Sequence, residues 1–310
     1  MKLSYLPVNF RVKFISPVRV DNNPLFVLRS VLGKQLKTLC CVSPHTVCKA
    51  CMYTKSCVYA CVFESIVDKK NEALPGRNTI SHPYCVAQGN YTFEKDNVLS
   101  EMGFVLTLFG DKAIEYLPYF YGAFVRAGKE GLFKERIPFE ILSIKVNGES
   151  LLVNQDTLRT DFTIPTFDLL QEDNLDSKNN KEILIELKTP LRFKVNGNYS
   201  KYFSARDFWN CLYRRAKTMF IAYGIDSYNE DFPILPETGT NIIEKNLYWN
   251  NIKHYSARQK NEMELGGVVG TIKLNGPLSN LEKNLLEFAR IANAGKNTNF
   301  GLGQIDYWMR

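Results

Sequence analysis

The chain carries one unit twice, and that duplication limits the folds open to it. Near its start, Leu6, Val8, Phe10, Val12 and Phe14 alternate with Pro7, Asn9, Arg11 and Lys13. This is the period-2 signature of a strand with one face in a core. The strand runs through Ser16-Pro17-Val18-Arg19 into a helix pattern with Leu25, Leu28, Leu32, Leu36 and Leu39 on one face. Later, Ile183-Leu184-Ile185-Glu186-Leu187-Lys188 leads into Thr189-Pro190-Leu191-Arg192. A second helix follows, with Phe208, Leu212, Ala216 and Met219 on its apolar face.

The remaining parts match as well. Met102 to Gly110 precedes a helix expected to end at Arg126-Ala127-Gly128-Lys129, followed by Glu130-Gly131-Leu132-Phe133. Gly267 to Gly276 precedes a helix with Leu281, Leu285, Phe288, Ala289 and Ala292 at helical spacing, expected to end at Asn293-Ala294-Gly295-Lys296. Pro118 falls in the first turn of the former, where a missing N–H costs little. Each copy therefore reads strand, helix, strand or hairpin, helix, strand, the β-α-β-β-α-β order of a ferredoxin-like unit. The predicted class is α+β, with tandem ferredoxin-like domains, a C-terminal Gly-rich loop and a Cys-rich insertion. Polar, aperiodic Gln171 to Lys181 is the natural linker, with the boundary at about residue 180. Residues 1–180, with the insertion at 40–64, form the first domain, and residues 181–310, with the loop at 295–303, form the second.

A length of 310 residues accommodates two such cores, and 45% hydrophobic with 23% charged residues is an ordinary globular balance. The net charge of +7 favours an acidic partner, nucleic acid first. No apolar run reaches the roughly 18 residues of a membrane span, and Met1 to Pro7 lacks the apolar region of a signal peptide. A cytoplasmic location is the expectation.

Six of the eight cysteines crowd between Cys40 and Cys61. In a reducing compartment such a cluster reads as a metal site rather than a disulfide framework. The spacing Cys41-x6-Cys48-x2-Cys51-x5-Cys57 can bring four thiolates to one tetrahedral ion, so a structural zinc is expected. Cys40 can replace Cys41, and His45 or Cys61 can replace another member. An iron–sulfur cluster uses the same ligand type. Buried free thiols are the plain alternative.

The terminal stretch Gly295-Lys296-Asn297-Thr298-Asn299-Phe300-Gly301-Leu302-Gly303 holds three glycines that free its backbone for φ > 0. Exposed N–H groups beside Lys296 would make a cradle for phosphate oxygens. The second-copy helix carries Arg206, Asn210, Arg214 and Lys217 opposite its apolar face, with Arg215 nearby and Tyr199, Lys201 and Tyr202 just before it. This stripe is either a solvated face or a phosphate-tracking surface with aromatics for base stacking. No RNP-like sequence is present, so ordinary RRM recognition is not expected. The three histidines are His45 in the cysteine segment, His82 in a turn before Pro83, and His254 between Lys253 and Tyr255 with Arg258 close behind.

Four ordered stretches carry a family resemblance. They are Leu28-Arg29-Ser30-Val31-Leu32-Gly33 with Cys57-Val58-Tyr59 and Phe63-Glu64; Phe109 to Phe120; His254-Tyr255-Ser256-Ala257-Arg258-Gln259 with Leu265-Gly266-Gly267; and Gly295-Lys296 with Phe300-Gly301-Leu302-Gly303. Together they resemble the RAMP superfamily of CRISPR-associated proteins. Within it, they are most similar to the endoribonucleases that cut CRISPR precursor transcripts into guide RNAs.

The resemblance implies binding of CRISPR repeat RNA and metal-independent cleavage by attack of the 2′-OH. The products would carry a 2′,3′-cyclic phosphate or 3′-phosphate and a 5′-hydroxyl. A type I or type III CRISPR effector complex is the implied partner. The RNA-binding set is Gly295, Lys296, Asn297, Thr298, Gly301, Gly303, Arg206, Arg214, Arg215, Lys217 and Lys253. Catalysis falls first to His254, with Tyr255 and Arg258 as helpers, and second to His45. Two departures stand out. Relatives often place a histidine before the last Gly-Lys, where this chain has Asn293-Ala294, and no histidine lies between Leu25 and Leu39. These departures keep a second reading open, a non-cleaving repeat-RNA-binding subunit. A zinc-dependent enzyme would need an open metal site, for which no His/carboxylate set is spaced.

Overall fold

In a computed structural model, residues 1–20, 23–65, 80–89, 97–154, 157–169, 181–225, 232–256 and 261–310 are described. The chain divides between Thr166 and Phe167, and residues 1–3 join the second unit. The boundary expected near residue 180, and the linker before Lys181, lie outside the described residues.

In the unit of residues 4–166, the elements are β1 (Lys2–Val20), α1 (Pro24–Cys40), β2 (Tyr84–Gln88), β3 (Asn97–Phe109), α2 (Leu117–Glu130) and β4 (Phe139–Val146). They form an antiparallel sheet in the order β2-β3-β1-β4. The alternation of β1 does what its period demands, since Leu6, Val8, Phe10, Val12 and Phe14 are all buried. Phe10 pairs with Phe104 across the sheet, stacks on it at 4.9 Å, and meets Phe124 of α2 at 5.1 Å. Each such ring contributes about 1.5–3 kcal/mol by burial. Leu39, expected on the apolar face of α1, is exposed. It sits against Gly122 of α2, which has no side chain to cover it. His82, expected in a solvated turn, is half-buried instead, its Nδ1 3.0 Å from both Ser65 Oγ and Val62 O. It packs beside Phe63 and Tyr84 and so braces Ser65, whose φ is 44°.

The second unit repeats the succession with β5 (Lys181–Leu191), α3 (Ala205–Tyr223), β6 (Asn241–Ser256), β7 (Asn261–Gly276), α4 (Asn280–Ala292) and β8 (Ile305–Met309). Its antiparallel sheet runs β6-β7-β5-β8, the same order as the first. Both helices open on capping boxes, Ser204 with Asp207 and Ser279 with Glu282, each worth about 1 kcal/mol. Trp209 is fully buried and donates its Nε1–H to Thr240 Oγ1 at 2.8 Å, while Phe220 and Phe288 meet at 5.2 Å. Strand β7 pairs with β5 only from Val268 to Gly276, whereas β6 and β7 stay paired out to Ser256 and Asn261. Residues 250–256 and 261–267 therefore extend past β5 as a two-stranded arm. Among the described residues, no helix is long and apolar enough to cross a membrane.

Candidate nucleic-acid interface

Two segments that look unrelated along the sequence, Thr189-Pro190-Leu191-Arg192 and the Gly-rich loop, lock onto each other. Lys296 N–H donates to Arg192 O at 2.8 Å, and Gly303 N–H donates to Pro190 O at 3.1 Å. Thr189 Oγ1 donates to Gly301 O at 2.8 Å and accepts from Gln304 N–H at 2.9 Å. Ala294 N–H closes the loop on Gly303 O at 2.7 Å. Gly303 has φ 74°, and a Cβ there would collide with Ala294 O, so only glycine fits without strain.

This fastening narrows the expected cradle. The N–H groups of Ala294, Lys296, Phe300, Gly301 and Gly303 are already donated within the chain. Thr298, Gly301 and Gly303 are buried, and the exposed part of the loop is Lys296. The loop thus presents a seated lysine side chain more than a row of backbone donors.

Beside it stands a cluster of cations around one ring. Asn196 (φ 49°) and Gly197 (φ 83°) form the turn of a short hairpin that pairs Lys194 with Tyr199. The Arg192 guanidinium lies 3.7 Å from the Tyr199 ring centroid, Lys194 Nζ 5.4 Å and Lys296 Nζ 5.9 Å. Such contacts hold cations in place at about 0.5–2 kcal/mol each. Lys201 sits 5.3 Å from Tyr202, whose side chain is 74% exposed. Among the described residues, none of Arg192, Lys194, Lys201 and Lys296 pairs with a carboxylate, so their charge is left for an anion. Arg192 Nε and Asn299 Nδ2 are also buried donors without a hydrogen-bond partner among those residues. Sequence reading passed over Arg192 and Lys194. The Asn-Gly turn between Lys194 and Tyr199 was the signal available for the hairpin.

The basic helix divides into exposed and buried cations. Arg206 and Arg214 are exposed, although the Arg206 guanidinium donates to Pro236 O. Lys217 is half-buried, 5.9 Å over Tyr213. Arg215, expected among the RNA-binding residues, is buried at 5% exposure and donates Nη2 and Nε to Ala292 O at 3.0 and 3.3 Å. Its role is internal, to take the last carbonyl of α4 just before the loop. Cys211, one turn earlier, is buried against Gly295, and burial pushes its thiol up to about 12.

Lys253 is exposed on the two-stranded arm, opposite Glu264. His254 and Tyr255 follow it in β6, opposite Met263 and Glu262. Their side chains, and Arg258 altogether, lie outside the described residues. His45 is exposed on the cysteine segment, in the other unit. In that segment Cys40, Cys41, Cys48, Cys51 and Cys57 line one pocket of about 380 Å³, and all eight cysteines are free thiols. Among the described residues, no three His, Cys, Asp or Glu side chains are gathered tightly enough, as they stand, to hold an ion.

Comparison with known proteins agrees with the two-unit division. A family model described as an N-terminal domain, AF_1859_N, matches residues 3–161, and the model for the CRISPR-associated endoribonuclease Cas6 matches residues 185–305. Residues 185–305, nearly the whole second unit, thus match the Cas6 family of CRISPR-associated endoribonucleases. Among solved structures, a Thermus thermophilus Cas6 product complex matches at 14% identity and TM-score 0.55, covering 98% of this chain and 99% of that one. A second Cas6 product complex matches at 13% identity and TM-score 0.51, covering 99% and 100%. A partial Cas6-RT-Cas1–Cas2 complex matches at 11% identity and TM-score 0.54, covering 99% of this chain and 46% of that one. At these identities the likeness speaks for the fold. No curated protein sequence matches.

Proposed function

We propose that this chain, built from two ferredoxin-like units, binds CRISPR repeat RNA and cleaves the precursor transcript into guide RNAs. The observation that carries the binding is the uncompensated cation cluster around Tyr199, docked on the Gly-rich loop. Phosphates suit its charge, and exposed Tyr202 offers a face to a base.

For cleavage, RNA supplies its own nucleophile, the 2′-OH beside the scissile phosphate. The protein has to align it, move two protons and stabilise the charged phosphorane, none of which requires a metal ion. A 2′,3′-cyclic phosphate and a 5′-hydroxyl are the direct products of that attack. His254 is the proton-transfer residue we assign first, with Tyr255 and Arg258 beside it in sequence and His45 as the second choice. The absence of a histidine from α1 supports one other reading, a non-cleaving RNA-binding subunit of a type I or type III effector complex.

The test uses labelled repeat RNA, the full chain and EDTA. Lys194→Ala with Lys296→Ala should weaken binding about 10-fold or more, alike for all repeats that bind. It should also flatten the salt dependence by about 0.7 in slope per lost contact to single-stranded RNA. His254→Ala should slow single-turnover cleavage by about 10²–10⁴-fold with affinity kept, while His45→Ala stays active. Binding without cleavage by the unaltered chain selects the second reading, and no binding at all removes both.

A further inference from the structure

The segment from Cys41 to Cys57 has no apolar core of its own. No side chain in it is buried, and Val42, Val47, Met52 and Tyr53 are exposed. The residues it turns inward are Cys41, Ser43, Cys48, Cys51, Thr54 and Cys57, each half-buried. Four of these six are thiols, and the other two are hydroxyls.

Both ends are pinned. Helix α1 delivers Cys40 and Cys41, and Val58, Val62 and Phe63 sink into the core immediately after Cys57. Between the pins the backbone makes successive tight turns. Cys51 N–H donates to Cys48 O at 3.2 Å, Thr54 N–H to Cys51 O at 3.1 Å, and Cys57 N–H to Tyr53 O at 2.8 Å. Thr54 Oγ1 adds a bond to Cys51 O at 2.6 Å. Turns of this kind in a core-free segment need a cross-link to persist, since they bury too little apolar surface to offset the entropy of ordering.

We propose that Cys41, Cys48, Cys51 and Cys57 form a structural site for one divalent, thiophilic metal ion of the zinc type, bound tetrahedrally inside the pocket they line. The Cys48-x2-Cys51 pair has the spacing of a structural zinc ligand pair, and a change of χ1 rotamer is the movement the four sulfurs need to meet at one ion. On binding, four S–H protons pass to solvent and the dication takes their place, leaving a site of net charge −2 beside Lys37. With four protein ligands no coordination position is open, so the ion staples the segment and takes no part in RNA cleavage.

The experiment is metal analysis of the full chain, purified reduced, loaded with zinc and desalted. About one zinc per chain is expected, with Cys41, Cys48, Cys51 and Cys57 protected from thiol labelling while Cys40 and Cys61 react. Cobalt substitution should produce the thiolate charge-transfer and tetrahedral ligand-field bands. Cys48→Ser with Cys51→Ser should abolish loading, and Cys40→Ser with Cys61→Ser should keep it. If the first double variant does not fold, the labelling pattern of the unaltered chain decides. No retained metal, equal labelling of all six thiols, disulfides in protein alkylated at lysis, or an iron–sulfur chromophore would each overturn the zinc-type site.

Discussion

Arg126-Ala127-Gly128-Lys129 stays helical through to Glu130, whereas Asn293-Ala294-Gly295-Lys296 leaves its helix after Ala292, with Asn293 at φ 55° and Gly295 at φ 73°. The two stretches share Ala-Gly-Lys and occupy matching places in the two units, so local propensity does not separate them. Their partners do. In the first, Gly128 lets Phe139 O of β4 approach the helix backbone, and Gly131 N–H closes the end by donating to Ala127 O at 2.8 Å. In the second, Arg215 takes the carbonyl of Ala292, and Gly303 O takes the N–H of Ala294. A helix ends where its terminal groups find other partners, and here those come from α3 and from the far side of the loop.

The two stretches should differ most at Gly303. Gly303→Ala combines a left-handed φ with a backbone collision and should cost the second unit about 3 kcal/mol. Gly128→Ala keeps a helical φ and should cost its own unit less, about 1–2 kcal/mol. Hydrogen exchange resolved by unit measures both, and equal losses would show that crowding alone explains the two glycines. Next in size, Arg215→Ala should remove about 2–3 kcal/mol by leaving the Ala292 carbonyl buried and unpaired. Arg126→Ala, on an exposed arginine whose Nε donates to buried Gln35 Oε1 over a longer 3.3 Å, should remove less, about 1 kcal/mol. Matching values would mean that Arg215 does not set the end of α4. The smallest effect is on RNA. Lys296→Ala should weaken repeat binding about fivefold, roughly 1 kcal/mol, with unchanged stability, while Lys129→Ala should change neither. A filter-binding series in which both lysines behave alike would sink the distinction between a seated loop lysine and a helical surface one.

Much of this was legible along the chain. The alternation from Leu6 to Phe14 and the stripes of Phe208 and Leu281 required buried faces with the periods found, because burial follows periodicity wherever one face meets a core. The glycines of the last loop and the crowding of cysteines were plain, since each depends on residue type and spacing alone. Sequence could not assign Arg215 to the interior, because a guanidinium on a helix reads as surface until a neighbouring helix presents a carbonyl for it. Nor could it place Arg192 over Tyr199, or show that Thr189 to Arg192 would spend the donors of a loop more than a hundred residues away. Side-chain pattern determined which residues face inward; the pairing of distant backbone groups, which no local preference encodes, decided what the loop has left to offer a ligand.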